Sequence, residues 1–258
     1  MGAPSSVYHA VVCPVLVTDW SLPESVGERM RFFRGTAVPE DKADQVITTV
    51  RNQGLARDRG ESWKMEYRHP GDLDALFAKP DLSLMHTRPD SVEADPGVCA
   101  CGEEAGAAYY ACQHNRTSEN TTPIVMEFEA PDEAVSIDGR DFLYTVFQLG
   151  EPGLARAALA RAFGDAVLRY ADRAWSSKEQ SVALCDLACH DSQVIKAHHA
   201  SRIVLGGRFN TVFRNAFIVR LPVEATSVIR VWSPTECPKL PIPEIMFDSL
   251  LVESHRRT

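Results

Sequence analysis

The chain has no run approaching the ~20 consecutive apolar residues that a membrane-spanning helix requires. Its first residues, Met1-Gly2-Ala3-Pro4-Ser5-Ser6, also lack the charged segment and apolar stretch of a secretory leader. Together these absences predict a cytoplasmic protein with no membrane partner. Self-similarity at a period of about 20–50 residues is missing, as is any low-complexity tract, which removes solenoids and propellers. No Gly-x-Ser-x-Gly nucleophile elbow and no Gly-x-x-x-x-Gly-Lys-Ser/Thr phosphate loop occurs, so hydrolases and nucleotidases of those designs fall behind. Cysteine is neither abundant nor even in number, 7 in 258 residues, which argues against a disulfide scaffold and suits a reducing compartment. An overall excess of basic charge is lacking too. The net charge of −8 disfavours non-specific binding to a nucleic-acid backbone as the main task.

What is present is enough apolar side chain to fold unaided: 45% of residues are hydrophobic and 24% charged. Strand-rich folds run to roughly 250 residues as one domain, so residues 1–258 are read as a single domain. The charge is uneven. Between Asp191 and Trp232 the acids are Asp191 and Glu224, against Lys196, Arg202, Arg208, Arg214, Arg220 and Arg230, which leaves an anionic partner open.

Apolar, β-branched runs predict strands at Tyr8–Val17, Met30–Gly35, Leu82–Thr87, Pro123–Glu129, Ala134–Ile137, Phe142–Phe147, Arg202–Leu205, Phe217–Leu221 and Ser227–Trp232. Asp138-Gly139 reads as a turn between two of them. Helices are predicted where apolar residues recur at three and four: from Pro39 through Ala43, Val46, Ile47 and Val50 to a stop at Gly54, and from Leu154 to Trp175. The alanine-rich stretch Glu103–His114 is a third. Residues 56–81 read as irregular, anchored by Trp63, Tyr67 and Phe77. Helix and strand mix without regular βαβ alternation, which predicts the α+β class.

The feature of most chemical interest is a strand ending in Phe33-Arg34-Gly35-Thr36 and followed by an amphipathic helix ending in Gly54-Leu55. Arginine offers a fixed cation that binds phosphate or ribose through two bonds, glycine lets a ligand approach the backbone, and threonine adds a hydroxyl. Further on, His86-Thr87-Arg88-Pro89 precedes Ala105-Gly106-Ala107-Ala108-Tyr109-Tyr110-Ala111 and then the strand at Pro123. In element order over residues 30–147 this resembles the ADP-ribosyltransferase superfamily of bacterial toxins, poly-ADP-ribose polymerases and RNA 2′-phosphotransferases.

The resemblance implies an α+β fold with a mixed, mainly antiparallel split β-sheet core and flanking helices. It also implies NAD⁺ bound in a cleft between two small sheets. Arg34, Gly35, Thr36 and Thr87 would line the cofactor, with Tyr109 or Tyr110 as an aromatic wall. The activity implied is transfer of ADP-ribose to a protein or nucleic-acid acceptor, as in a toxin or defence effector. The family's glutamate on a late strand has no clean counterpart. Glu179, ahead of the strand-like Val182-Ala183-Leu184, is the first choice for the catalytic acid and Asp191 the second.

A rival constellation is Cys99-Ala100-Cys101 with Cys112 and His114, a donor set chemically suited to tetrahedral zinc but with the paired cysteines closer than in a standard finger. It supports an alternative reading, a non-catalytic binding module stabilised by zinc. Cys185, Cys189, His190 and His198-His199 add further thiols and imidazoles later in the chain.

Overall fold

In the computed structural model, the residues described are 28–56, 61–63, 95–114, 120–138, 140–149, 153–176, 181–206, 212–239, 242–246 and 249–250. The expected strands at Tyr8–Val17 and Leu82–Thr87, and the anchors Tyr67 and Phe77, lie outside them.

Strand β1 (Arg29–Pro39) pairs antiparallel with β4 (Thr121–Pro131) along its whole length, from Arg29↔Pro131 to Pro39↔Thr121. Each is longer than its apolar centre, because the pairing carries the backbone through polar ends that have little strand preference of their own. The pleat sends alternate residues to opposite faces. Phe32, Ile124, Met126 and Phe128 enter the main core, and Val125 enters a smaller one with Cys101, Ala107, Ala108 and Ala111.

After β1 comes helix α1 (Ala43–Gln53), with Ala43 and Val50 buried and Val46 and Ile47 packed on the core, as its spacing predicts. Gly54 stops it. Its N–H donates to the Val50 carbonyl at 2.9 Å, its φ is +75°, and a β-carbon there would lie 2.0 Å from the Val223 carbonyl oxygen. Any other residue would strain the backbone and clash at once.

The large sheet has seven strands: β5 (Val135–Ile137), β8 (Ala216–Arg220), β3 (Asp95–Cys101), β1, β4 and β9 (Val228–Trp232) in that order, with β2 (Glu61–Trp63) also on β3. All its pairs are antiparallel. A small sheet orders β10 (Ile245–Met246), β6 (Leu205–Gly206) and β7 (Val212–Phe213), with β10 and β6 parallel. The mixed α+β class with a mainly antiparallel sheet and flanking helices is therefore observed.

Helix α2 (Glu104–Tyr109) runs directly into a π-helical turn, Tyr110–His114. The second group of helices is α3 (Arg140–Phe147), α4 (Gly153–Phe163), α5 (Leu168–Ser176), α6 (Ser181–His190) and α7 (Ser192–Ala200). Among the described residues no helix is long and apolar enough to cross a membrane.

Four expectations change here. Phe142–Phe147 is helical, not a strand: Phe142, Leu143, Val146 and Phe147 are buried, the stripe of a helix with one face in the core. The long helix expected from Leu154 to Trp175 is two helices, because Gly164 takes a φ of +76° and breaks the ladder. Val182-Ala183-Leu184 belongs to α6, whose residues are buried almost all round, so no period marks it as helix or strand. Arg202–Leu205 contributes only Leu205 to a strand.

Candidate functional site

The large sheet has a seam. β1 meets β3 at one register pair, Phe33↔Cys101, although it pairs with β4 along its full length. Just past that rung, Arg34 reaches across and its Nη1 donates to the Cys99 carbonyl at 2.9 Å. Two cavities flank the seam. One, of about 440 Å³, lies against Gly35, Cys99, Cys101, Tyr110, Asp138 and Ala216. The other, of about 710 Å³, lies along α1 against Lys42, Gln45, Thr49 and Gln53, over an apolar floor that includes Val98 and Met126. Arg34 and Thr36 line both.

Gly35 is explained by packing. A β-carbon built there would sit 1.8 Å from the Ala107 carbonyl oxygen and 2.9 Å from the Ala111 nitrogen. The glycine thus admits the backbone of α2, and the small residues Gly106, Ala107, Ala108 and Ala111 bring that helix down onto the sheet. The freedom that Phe33-Arg34-Gly35-Thr36 suggests for an approaching ligand is taken up by main chain: the side of Gly35 that a side chain would occupy is filled by the protein itself.

That close approach delivers Tyr110 to the cavity. Its hydroxyl donates to the Val212 carbonyl at 3.4 Å, and burial, then the neighbouring Cys101 and Asp138, push its phenol above the ordinary value. It is the first residue of the π-helical turn, a local widening that recurs at functional sites. Tyr109 packs edge-on against it at 5.7 Å between centroids and lines neither cavity.

Asp138 follows β5, and its backbone N–H donates to the Ala216 carbonyl at 2.9 Å. Its charge is felt at Cys101: burial, then the Asp138 carboxylate, push that thiol up to about 12, with Arg34 pulling the other way. Among the described residues Asp138 is the only carboxylate lining either cavity. In the sequence, Asp138-Gly139 marks only a turn. An acid directly after the buried run Val135–Ile137 was the available signal, since strand ends carry site residues in many folds.

Neighbouring acids are committed elsewhere. Glu127, buried, pairs with Arg31 at 3.2 Å and Arg230 at 3.1 Å, and Arg230 also holds Glu104 at 2.9 Å while lying 3.7 Å over the Trp232 ring. Glu103 accepts from the Arg214 Nε at 2.7 Å. Asp191 is the N-cap of α7: Oδ1 accepts the Gln193 N–H at 2.8 Å, and Oδ2 accepts the Tyr170 hydroxyl at 2.7 Å and the Arg169 guanidinium. It lines neither cavity. Glu179 and Thr87 lie outside the described residues.

Among the described residues no group of three or more His, Cys, Asp or Glu side chains could hold a metal ion. Cys99, Cys101, Cys112, Cys185 and Cys189 are thiols, none in a disulfide. The side chain of His114 lies outside the described residues. His190 faces the Asp186 carbonyl in its own helix, and His199 meets the Arg31 carbonyl at 2.8 Å with its ring on Phe32.

Comparison with models of protein families, with curated proteins and with solved structures finds no significant match for this chain.

Proposed function

We propose that the chain transfers ADP-ribose from NAD⁺ to a protein or nucleic-acid acceptor, in the manner of a toxin or defence effector. The observation that carries this reading is the position of Arg34 at the seam, where the residue borders a cavity on each side. A dinucleotide is two nucleosides joined by a diphosphate. One planar, delocalised cation between two cavities suits the diphosphate, since arginine binds phosphate oxygens through paired bonds.

The groups around it match the rest of the substrate. Tyr110 offers an aromatic wall to the nicotinamide ring, Thr36 a hydroxyl to a ribose, and the apolar floor of the larger cavity a surface for a base. Positive charge develops on the ribose as the nicotinamide leaves, so a carboxylate in the same cavity stabilises the transition state more than the ground state.

The experiment is to incubate the purified full chain with NAD⁺, measuring free nicotinamide and the thermal shift on binding. Release above the spontaneous rate, with saturation, supports the reading. Neither release nor binding removes it. Labelled NAD⁺ added to lysate then identifies the acceptor.

A further inference from the structure

We propose that the dinucleotide bound at this site carries a third phosphate, on the ribose of its adenosine half, so that NADP⁺ is preferred over NAD⁺ and Lys42 is the residue that selects it. The inference rests on the dinucleotide reading above and concerns the larger cavity, along α1.

Helical geometry builds the wall of that cavity. Lys42 directly precedes α1, and Gln45, Thr49 and Gln53 follow it at intervals of three and four residues, so all four lie on one side of the helix. From Gln45 to Gln53 the stripe runs roughly 12 Å, at about 1.5 Å per residue. Val46 and Val50, a step further round, turn to the core. The charged residues of α1 itself are on the far side: Asp44 lines neither cavity, and Arg51 donates to the Val231 carbonyl at 2.6 Å. The volume of about 710 Å³ is ample for a nucleoside with an added phosphate.

The charge of the cavity is one-sided. Arg34 and Lys42 line it and, among the described residues, no carboxylate does, in a chain whose net charge is −8. Arg34 is matched by the diphosphate. Beyond the diphosphate the adenosine half of NAD⁺ is uncharged, so a second cation beside it meets no anion in that ligand. A phosphate ester on the adenosine ribose supplies one. Sites that hold the unphosphorylated ribose use a carboxylate, which accepts from the hydroxyl and repels a phosphate in its place. Along this wall the polar groups beside the lysine are uncharged amides and a hydroxyl.

Lys42 has an acid near it, Asp41 at 3.8 Å, but the two side chains are 58% and 75% exposed. Such a pair is screened by water and salt, and a dianionic phosphate displaces it readily. The two cations divide the work by their chemistry. The planar guanidinium of Arg34 suits the paired oxygens of the diphosphate, and the ammonium of Lys42, a point charge on a flexible stem, suits a single terminal phosphate.

The test titrates the full chain by calorimetry with NADP⁺ and NAD⁺, and with the fragment pair 2′,5′-ADP and 5′-AMP, which differ by the same phosphate. Wild type is expected to bind the phosphorylated member of each pair about 10-fold more tightly, with a preference that shrinks as salt is raised. Lys42→Ala should abolish the preference while leaving NAD⁺ affinity unchanged. Lys42→Arg should keep it, and Lys42→Glu should reverse it. An exposed side chain with a merely structural role would weaken both ligands alike. KM for nicotinamide release should follow the same order, with kcat unmoved by these variants.

Equal affinity of the wild-type chain for the two dinucleotides, or tighter binding of NAD⁺, would overturn the inference and leave the NAD⁺ reading standing. A preference that survives intact in Lys42→Ala and Lys42→Glu would overturn the assignment to Lys42. Binding of neither dinucleotide removes the reading and this inference together.

Discussion

His198 Nε2 accepts the backbone N–H of Ala216 at 3.3 Å, linking helix α7 to a strand residue that borders the smaller cavity. Its Nδ1 lies 2.9 Å from the Ala162 carbonyl, and its ring stacks on Phe163 at 4.5 Å between centroids. One nitrogen donates and the other accepts, so the bonded form is the neutral imidazole.

Burial holds the His198 pKa down to about 4, from an ordinary 6.5. The unfolded chain therefore takes up a proton as pH falls through the ordinary value while the folded chain does not. Stability is complete above about pH 6.5 and is lost between there and about pH 4, by about 3 kcal/mol, with no further loss from this group below. Urea midpoints at pH 7, 5.5 and 4 check this. A His198→Gln variant is expected to show a flatter slope over that range.

Gly35→Ala is expected to destabilise by about 3 kcal/mol or more, because the methyl meets main-chain atoms of α2 that no rotamer change can move. Gly153→Ala is the control. It begins α4 with no other part of the described structure within 4 Å of the new methyl, and should stabilise by about 0.4–1 kcal/mol. Thermal unfolding of the pair separates packing from backbone entropy.

Arg34→Ala is expected to weaken NAD⁺ binding by about 1.5–3 kcal/mol, the scale of a hydrogen bond to a charged group. Arg34→Lys should recover only part, since an ammonium cannot reproduce the two-bond geometry. Calorimetric titration of folded variants measures it, and unaltered affinity in Arg34→Ala would remove the cation from the substrate site.

Asp191→Asn is expected to cost about 1–3 kcal/mol in stability, leaving Tyr170 and Arg169 without their anion in a nearly enclosed setting. Turnover per folded molecule should match wild type. A stable Asp191→Asn that has lost turnover would show this acid acting beyond its cap.

Local chemistry made much of the frame readable. Gly54, the spacing of Ala43 and Val50, and the alternation around Phe32 each act within a few residues, and each element formed where its signal lies. Misreadings occurred where burial erased the signal. α6 is buried almost all round, and Phe142–Phe147 has the composition of a strand but a helical stripe. β3 went unread because Val98 is its only β-branched residue; pairing with β8, not propensity, makes it extended. For the site the division is similar. Arg34 was legible as a cation beside Gly35, but not at a strand's end, since pairing with β4 carries β1 on to Pro39; Tyr110 was legible as a helix aromatic. Asp138 was not legible, because it comes near Arg34 only through the pairing of β5 with β8 and β8 with β3, which no local pattern announces.

The contact between Gly35 and the Ala107 carbonyl also sets a tolerance. Where helix and sheet are spaced by side chains, every core substitution alters the stand-off between them. Here the spacer is main chain on main chain, whose thickness does not depend on which residues occupy the rest of the core. Tyr110, three residues after Ala107, inherits that fixed datum. The face of the cavity is thereby decoupled from sequence drift in the larger apolar core, which can change its side chains while the aromatic wall keeps its distance from β1.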